Sequence, residues 1–263
     1  MNIKNDETFA KFPIKPWHPL TELPETDSGG TDGCAAAGDI GIIGEAIGET
    51  AMPSPTINGL SPNLIKLMWD ILVYLYSTIS VRIKRLGMSG REFEPTKHNG
   101  IERGLIIESA AGAAVYLIPT VAAYKLFNMP CPFDERNVSI QHSYYRGLAA
   151  FLLGKDPANK SVHQEMKLGQ KGQTTDVLTV DHSGTRTAYE ITLSTNMVLS
   201  NIQKYQVITD SIARILLICR DYRLKEACKS LCRESGLNPD LLAKLDYMHF
   251  SQLLQRQRRL SLY

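Results

Sequence analysis

The sequence predicts an α/β fold class in two parts, a helical part that ends in a β-hairpin and a later part built on a mixed sheet. Three helix-period patterns followed by two short strand patterns predict the first part. In the second part, three strand patterns precede an alternation of helix and strand, which is the order of a mixed sheet with a β–helix–β crossover. The apolar run Ile212–Cys219 is typical of a parallel strand buried on both faces.

Composition divides the chain into four segments. Residues 1–60 are rich in proline and glycine, so we expect a flexible leader. The helical domain covers residues 61–128, a linker with two prolines covers 129–137, and the mixed-sheet domain covers 138–263. A chain of 263 residues is long enough for two domains of ordinary size.

Local signals predict the first two helices. Pro62 suits the first turn of a helix that runs to about Leu75, with apolar residues at three- and four-residue spacing. A second helix covers Ile79–Leu86 and should end at Gly87, since glycine is common just after a helix.

The third helix carries a capping-box signature, because Glu92 follows Ser89 by three residues. It should run toward Arg103, and Pro95 is expected to kink it or to shift its start. After it come strands at 105–108 and 114–118, joined by a turn at 110–112, and a short helix at 121–127.

The second part begins with a helix at 138–153 and a strand at 161–168. Strands at 175–180 and 187–193 should form a hairpin, because a short polar segment with a glycine joins them. The remaining predicted elements are a helix capped by Thr195 or Asn196 that runs to about residue 210, a strand at 212–219, a helix at 221–234, a strand at 247–250 and a basic helix from 251.

Three helices followed by a hairpin resemble a winged helix-turn-helix domain. The residues that carry this resemblance are R-L-G-M-S at 85–89 and I-E-R-G-L-I at 101–106. The resemblance implies that the third helix lies in a DNA major groove. The side chains then available for bases or phosphates are Arg91, Lys97, His98, Asn99 and Arg103. The alternative is a winged helix used for protein contacts, whose charges are merely solvated.

Two acids on neighbouring strands are the strongest sign of chemistry. Asp176 enters one strand of the predicted hairpin, and Glu190 lies between apolar neighbours on the other. Two carboxylates that converge inside a sheet repel each other unless a cation lies between them. The pair therefore indicates either a metal site or an ion pair with a lysine.

Residues 138–250 resemble the PD-(D/E)xK nuclease fold of restriction enzymes and Holliday-junction resolvases. The whole layout is also similar to the winged-helix and nuclease-like module of some HerA-type conjugation and DNA-translocating ATPases. The residues that carry the resemblance are Thr175-Asp176-Val177, Ala188-Tyr189-Glu190-Ile191-Thr192 and Asn201-Ile202-Gln203-Lys204.

The nuclease resemblance implies Mg²⁺-dependent hydrolysis of DNA phosphodiesters, with Mn²⁺ as a substitute metal. It implies that the metal ligands are Asp176, Glu190, the Ile191 carbonyl and His142 on the preceding helix.

Such nucleases place a lysine two residues after the second acid. In this sequence that position is occupied by Thr192. Lys204 from the following helix is the first candidate to replace it, because its long stem is flexible. Lys171 is a second candidate, and Glu165 on the first strand is a further possible acid.

Charge and cysteine usage set the expected environment. The net charge of +2 is mild, but basic residues cluster near residues 82–103 and again at Arg256, Arg258 and Arg259, which favours a phosphate-rich partner. Five irregularly spaced cysteines do not form a disulfide framework, and residues 1–15 lack an apolar signal core. We therefore expect a cytoplasmic protein that binds DNA and is not associated with a membrane. A DNA-translocating ATPase and a second copy of the chain are further possible partners.

Three functions remain open from the sequence. The first is an active metal-dependent endonuclease that uses the two acids and a displaced lysine. The second is an inactive nuclease fold that binds DNA or acts as an adaptor in DNA transfer or processing, which the replacement by Thr192 favours. The third is a transcription regulator whose α/β domain senses a small molecule in a pocket away from these acids.

Overall fold

Three helices and a two-stranded hairpin form the first part of the chain, in the predicted order. We analysed a computed structural model, which describes residues 59–133, 139–168, 173–207 and 211–260. The predicted leader therefore lies outside the described residues except for its last two, as does the linker from residue 134 onward. The elements of this first part are α1 (Pro62–Val73), α2 (Ile79–Leu86), α3 (Gly90–Glu102), β1 (Ile106–Ala111), β2 (Ala114–Pro119) and α4 (Val121–Leu126).

The predicted starts of α1 and α3 are confirmed by their capping contacts. The Ser61 hydroxyl accepts a hydrogen bond from the Leu64 amide at the start of α1. At α3 the Glu92 amide donates to the Ser89 hydroxyl, and the Ser89 amide donates to the Glu92 carboxylate across 2.8 Å. Helix α3 continues through Pro95, so the proline does not shift its start to a later residue.

The hairpin turn is tighter than the sequence suggests. Ala110 and Ala111 were predicted to lie in the turn, but both belong to β1, and Ala111 pairs with Ala114. The prediction was wrong because Gly112 alone supplies the left-handed conformation, with φ of 62°. Thr78 adds an isolated antiparallel bridge to Tyr116 on β2.

A five-stranded mixed sheet organises the second part, which makes the fold α/β as predicted. Its strands lie in the order β3-β4-β5-β6-β7, and β6 runs parallel to both β5 and β7. The elements are α5 (Ile140–Gly154), β3 (Asn159–Leu168), β4 (Gln173–Asp181), β5 (Arg186–Thr192), α6 (Val198–Gln203), a 3₁₀ helix (Lys204–Val207), β6 (Arg214–Cys219), α7 (Tyr222–Glu234), α8 (Pro239–Lys244), β7 (Leu245–His249) and α9 (Phe250–Leu260).

The predicted buried parallel strand is confirmed at β6. Five of its six residues are buried, and Ile215, Leu217 and Cys219 pack with Cys228 and Cys232 of α7. Complete burial of apolar side chains such as these typically contributes about 1.5–3 kcal/mol each. Strand β5, which carries Glu190, is the central strand of the sheet and pairs in parallel with β6.

Two local predictions were wrong. Neither Thr195 nor Asn196 is the N-cap of α6: Met197 occupies that position, and the helix is only six residues long. Helix α8 was not predicted, although Asn238 caps it with its side chain and Pro239 stands in its first turn. Helix α8 is shorter than the two turns that hydrophobic periodicity needs to be recognised.

The helical part and the sheet part share their packing, so the described residues from Leu60 onward belong to one compact unit. The Tyr144 hydroxyl on α5 donates to the Leu75 carbonyl across 2.9 Å. The Tyr145 hydroxyl donates to Ser109 on β1 across 2.7 Å. No helix among the described residues is long and apolar enough to span a membrane.

Candidate metal-dependent active site

Asp176 is held by two elements that the fold brings to β4. The His142 ring, in the first turn of α5, lies with Nε2 2.9 Å from Asp176 Oδ1. The Ile191 amide on β5 donates to Asp176 Oδ2 across 2.8 Å. Ser139 caps α5 and accepts from the His142 amide, which sets where the helix begins. Both oxygens of Asp176 are therefore oriented by residues far from it in sequence.

Glu190 is buried on β5, where it meets a lysine. Its side chain has 3 % of its surface exposed, and Lys204 Nζ lies 2.8 Å from Oε1. The Tyr205 hydroxyl donates a short hydrogen bond to the same oxygen. Lys204 follows the last residue of α6, and the 3₁₀ helix presents it and Tyr205 to Glu190 together.

The two acids have pKa values displaced in opposite directions. Burial, and next the charge of Asp176, raise the pKa of Glu190 to about 7, although Lys204 and Tyr205 act against the rise. Burial also acts to raise the pKa of Asp176, but His142, the Ile191 amide and Lys204 together hold that pKa below its ordinary value. Carboxyl pairs whose environments separate their pKa values are common where acid–base or metal chemistry occurs.

Thr192 lies two residues after Glu190 on the same strand, so both side chains point to the same face of the sheet. Thr192 is buried, with 6 % of its surface exposed, and it pairs with Cys219 on β6. A lysine at residue 192 would therefore project on the face where Lys204 now contacts Glu190.

Glu165 does not contact either acid among the described residues. It forms a short ion pair with Arg146, which lies one helical turn after His142 on α5. Glu165 is half-exposed and adopts φ of 50°, in the left-handed region. The sequence analysis missed Arg146, although its position four residues after His142 places both side chains on one face of the helix. It also missed Tyr205.

The metal ligands implied by the resemblance are brought together in part. Asp176 and Glu190 lie close enough for the charge of one to displace the pKa of the other. His142 contacts Asp176, and Ile191 contributes its amide to the same carboxylate. Within the described ranges, no three His, Cys, Asp or Glu side chains are arranged to hold a metal ion. Lys171 lies outside the described residues.

The predicted DNA-contacting side chains on α3 are engaged mostly with one another and with nearby acids. Lys97 Nζ lies 2.9 Å from Glu94 and 2.8 Å from Glu108 on β1. Burial acts to lower the pKa of Lys97, but these two acids raise it above its ordinary value. The remaining contacts are His98 with Glu102 at 3.1 Å and Arg103 with Asn99 at 2.8 Å, and Arg91 is exposed.

Much of the first basic cluster is also neutralised. Arg82 is fully buried and donates to the Asp70 carboxylate across 2.6 Å and to the Tyr74 carbonyl across 2.8 Å. Arg85 pairs with the same aspartate. These arginines join α1 to α2. Fewer positive charges of this segment are therefore free to bind a phosphate than the sequence suggests.

No protein-family model, curated protein or solved structure matches this chain.

Proposed function

We propose that this protein is a DNA-directed, Mg²⁺-dependent endonuclease that hydrolyses phosphodiester bonds. The observation that carries the proposal is the arrangement around Glu190. A buried carboxylate whose pKa is near 7 has Lys204 at 2.8 Å and Asp176 as its charged neighbour. Carboxylates on adjacent strands with a lysine alongside form the constellation that the PD-(D/E)xK resemblance implies.

Asp176 and Glu190 are the residues that would hold the metal, with the Ile191 carbonyl and water as further oxygen ligands. This ligand set fits Mg²⁺, which takes one or two carboxylates and keeps several waters. The closeness of the two carboxylates supports the fit, because a cation beside them would offset their mutual repulsion. When bound, Mg²⁺ or Mn²⁺ polarises a phosphate oxygen and lowers the pKa of its water.

The surrounding side chains have separate tasks in this proposal. His142 and the Ile191 amide orient the two oxygens of Asp176. Tyr205 orients Glu190, and Lys204 favours its ionised form. The Lys204 ammonium also supplies the positive charge that the nuclease resemblance leads us to expect from residue 192.

Nicking of supercoiled plasmid DNA tests the proposal. Wild-type protein should nick the plasmid with Mg²⁺ or Mn²⁺ and not with EDTA, and Asp176→Asn and Glu190→Gln should each abolish nicking while retaining the fold. Equal nicking by wild type and both variants would show that another site or a contaminant is responsible. No nicking with any divalent metal would reject the endonuclease.

A second candidate is an inactive nuclease fold that binds DNA as an adaptor, for example beside a DNA-translocating ATPase. The observation that favours it is Thr192, which stands where the lysine is expected. It predicts salt-sensitive DNA binding that is unchanged in Asp176→Asn, without cleavage under any metal condition.

A further inference from the structure

Helix α9 carries an unbalanced positive charge that the proposed active site does not use. Its sequence, FSQLLQRQRRL, contains three arginines and no acid. Its most exposed residues are Gln252, Gln255, Arg256, Arg258 and Arg259. By comparison, α3 contains three glutamates near its basic residues, so α9 has the greater excess of positive charge.

The apolar face of α9 is already occupied. Phe250 and Leu253 are fully buried, and the Phe250 ring lies 5.1 Å from the Tyr145 ring of α5, centroid to centroid. A basic helix that binds a lipid surface inserts its apolar face into it. Because α9 uses that face to dock on the protein, its outward face is polar and suits a hydrophilic polyanion better than a membrane.

The three arginines have different surroundings. Arg256 Nη2 lies 2.8 Å from Asp156, which is buried, so Arg256 anchors α9 to the end of α5. Within the described ranges, no hydrogen bond or ion pair holds Arg258 or Arg259. These two guanidinium groups are exposed at the end of the helix. They are therefore available to a ligand.

A groove connects α9 to α3. Its volume is about 510 Å³, and its lining includes Arg258 and Gln255 of α9. Lys97 of α3 also lines it, together with the two acids that neutralise this lysine, Glu94 and Glu108, so the positive charge available there comes from α9. A second groove of about 470 Å³ continues along α9, lined by Gln252, Gln255, Arg256, Arg259 and Leu260. Gln255 borders both grooves, so the two lie next to each other on the outward side of α9.

We propose that duplex DNA binds along the outward face of α9, with Arg258 and Arg259 on its phosphates and Gln252 and Gln255 as further polar contacts. The inference rests on the proposed DNA-directed function and assigns the main electrostatic contact to α9 instead of α3. Guanidinium groups pair well with phosphate oxygens, and glutamine side chains donate to phosphates or read base edges.

The test compares binding of a fluorescent DNA duplex by the full chain and by Arg258→Glu/Arg259→Glu, both in EDTA so that cleavage is excluded. The variant should bind at least about tenfold more weakly at low salt. The slope of log affinity against log salt should fall by about 1.8, since each lost phosphate contact contributes about 0.9. The matched control reverses two exposed basic residues of α7, Arg223→Glu/Lys229→Glu, and should retain the wild-type slope.

The outcomes separate this inference from the proposed function. Wild-type nicking together with unchanged binding by the α9 variant would overturn the inference and leave the endonuclease intact. Weakened binding without any nicking would support the inference and reject the endonuclease. Equal losses in the α7 control would show a general charge effect and overturn the inference, as would α9-dependent binding to phosphatidylserine vesicles but not to DNA. If the variant melts at a lower temperature, Arg258→Ala/Arg259→Ala replaces it and should show the same loss of slope.

Discussion

Lys204 contacts Glu190 from the 3₁₀ helix that follows α6, and not from strand β5, which carries Glu190. The distance from Nζ to Oε1 is 2.8 Å, and the two residues are separated by a turn and the short helix α6. Lys204 therefore approaches Glu190 from the 3₁₀ helix, whereas Thr192 lies on strand β5 with Glu190.

Lys204→Ala should lower the rate of plasmid nicking by about 10²–10³-fold, the usual effect of removing one preorganised electrostatic contact at a reacting centre. The measurement is the initial nicking rate at saturating Mg²⁺. Lys229→Ala is the matched control, since Lys229 is an exposed lysine on α7. If Lys204→Ala nicks as fast as the control, Lys204 is only a structural partner of Glu190.

The double variant Thr192→Lys/Lys204→Ala should nick at least about tenfold faster than Lys204→Ala alone. A tenfold rate increase corresponds to an activation barrier lower by about 1.4 kcal/mol. The reason is that residue 192 lies on the same face of β5 as Glu190. Thr192→Gln combined with Lys204→Ala adds similar length without the charge and should not recover activity. Equal recovery by both double variants would contradict an electrostatic role for the lysine.

Glu190→Gln should change the pH dependence of stability. Because the pKa of Glu190 is raised to about 7 in the folded protein, the folded state binds its proton more tightly than the unfolded chain does. Ionisation of Glu190 therefore destabilises the fold increasingly as pH rises from about 4.5 through about 7. The stability of Glu190→Gln relative to wild type should rise across that window by up to about 3 kcal/mol.

Urea unfolding at several pH values without divalent metal measures this difference. The control is Glu226→Gln on α7, where the side chain is half-exposed. A stability difference that stays constant from about pH 4.5 to about pH 8 would contradict the raised pKa of the buried Glu190 carboxyl.

His142→Ala should lower the free energy of unfolding at neutral pH by about 1.5–3 kcal/mol, the usual range for a hydrogen bond to a charged group. His142 helps to hold the pKa of Asp176 below its ordinary value, so Asp176 adds stability above its unfolded pKa that is lost as pH falls. Removing His142 should therefore move acid unfolding to higher pH.

The comparison for this variant is His163→Ala, whose ring contacts Ser161 on β3 at 3.0 Å and neither of the two acids. Equal stability losses for His142→Ala and His163→Ala, with the same acid midpoint, would show that the His142–Asp176 contact contributes nothing specific.

The sequence by itself determined most of the local structure. Helix α2 has the predicted bounds Ile79–Leu86, and the Ser89–Glu92 capping box forms as predicted. The parallel strand β6 was recognisable from its apolar run. These features depend on backbone capping and on the periodicity of buried residues. Both involve residues close together in the chain, so the local sequence is enough to predict them.

Only the tertiary structure decided which charges meet. His142 reaches Asp176 across 34 positions of sequence, and Lys97 meets Glu108 from a neighbouring strand. Glu165 forms an ion pair with Arg146 and does not contact the acid pair. Arg82 is buried in the core, where it forms an ion pair with Asp70. Such pairings depend on strand register and on how helices lie against the sheet. The sequence named the candidate charges, whereas packing determined which of them remain available to a ligand.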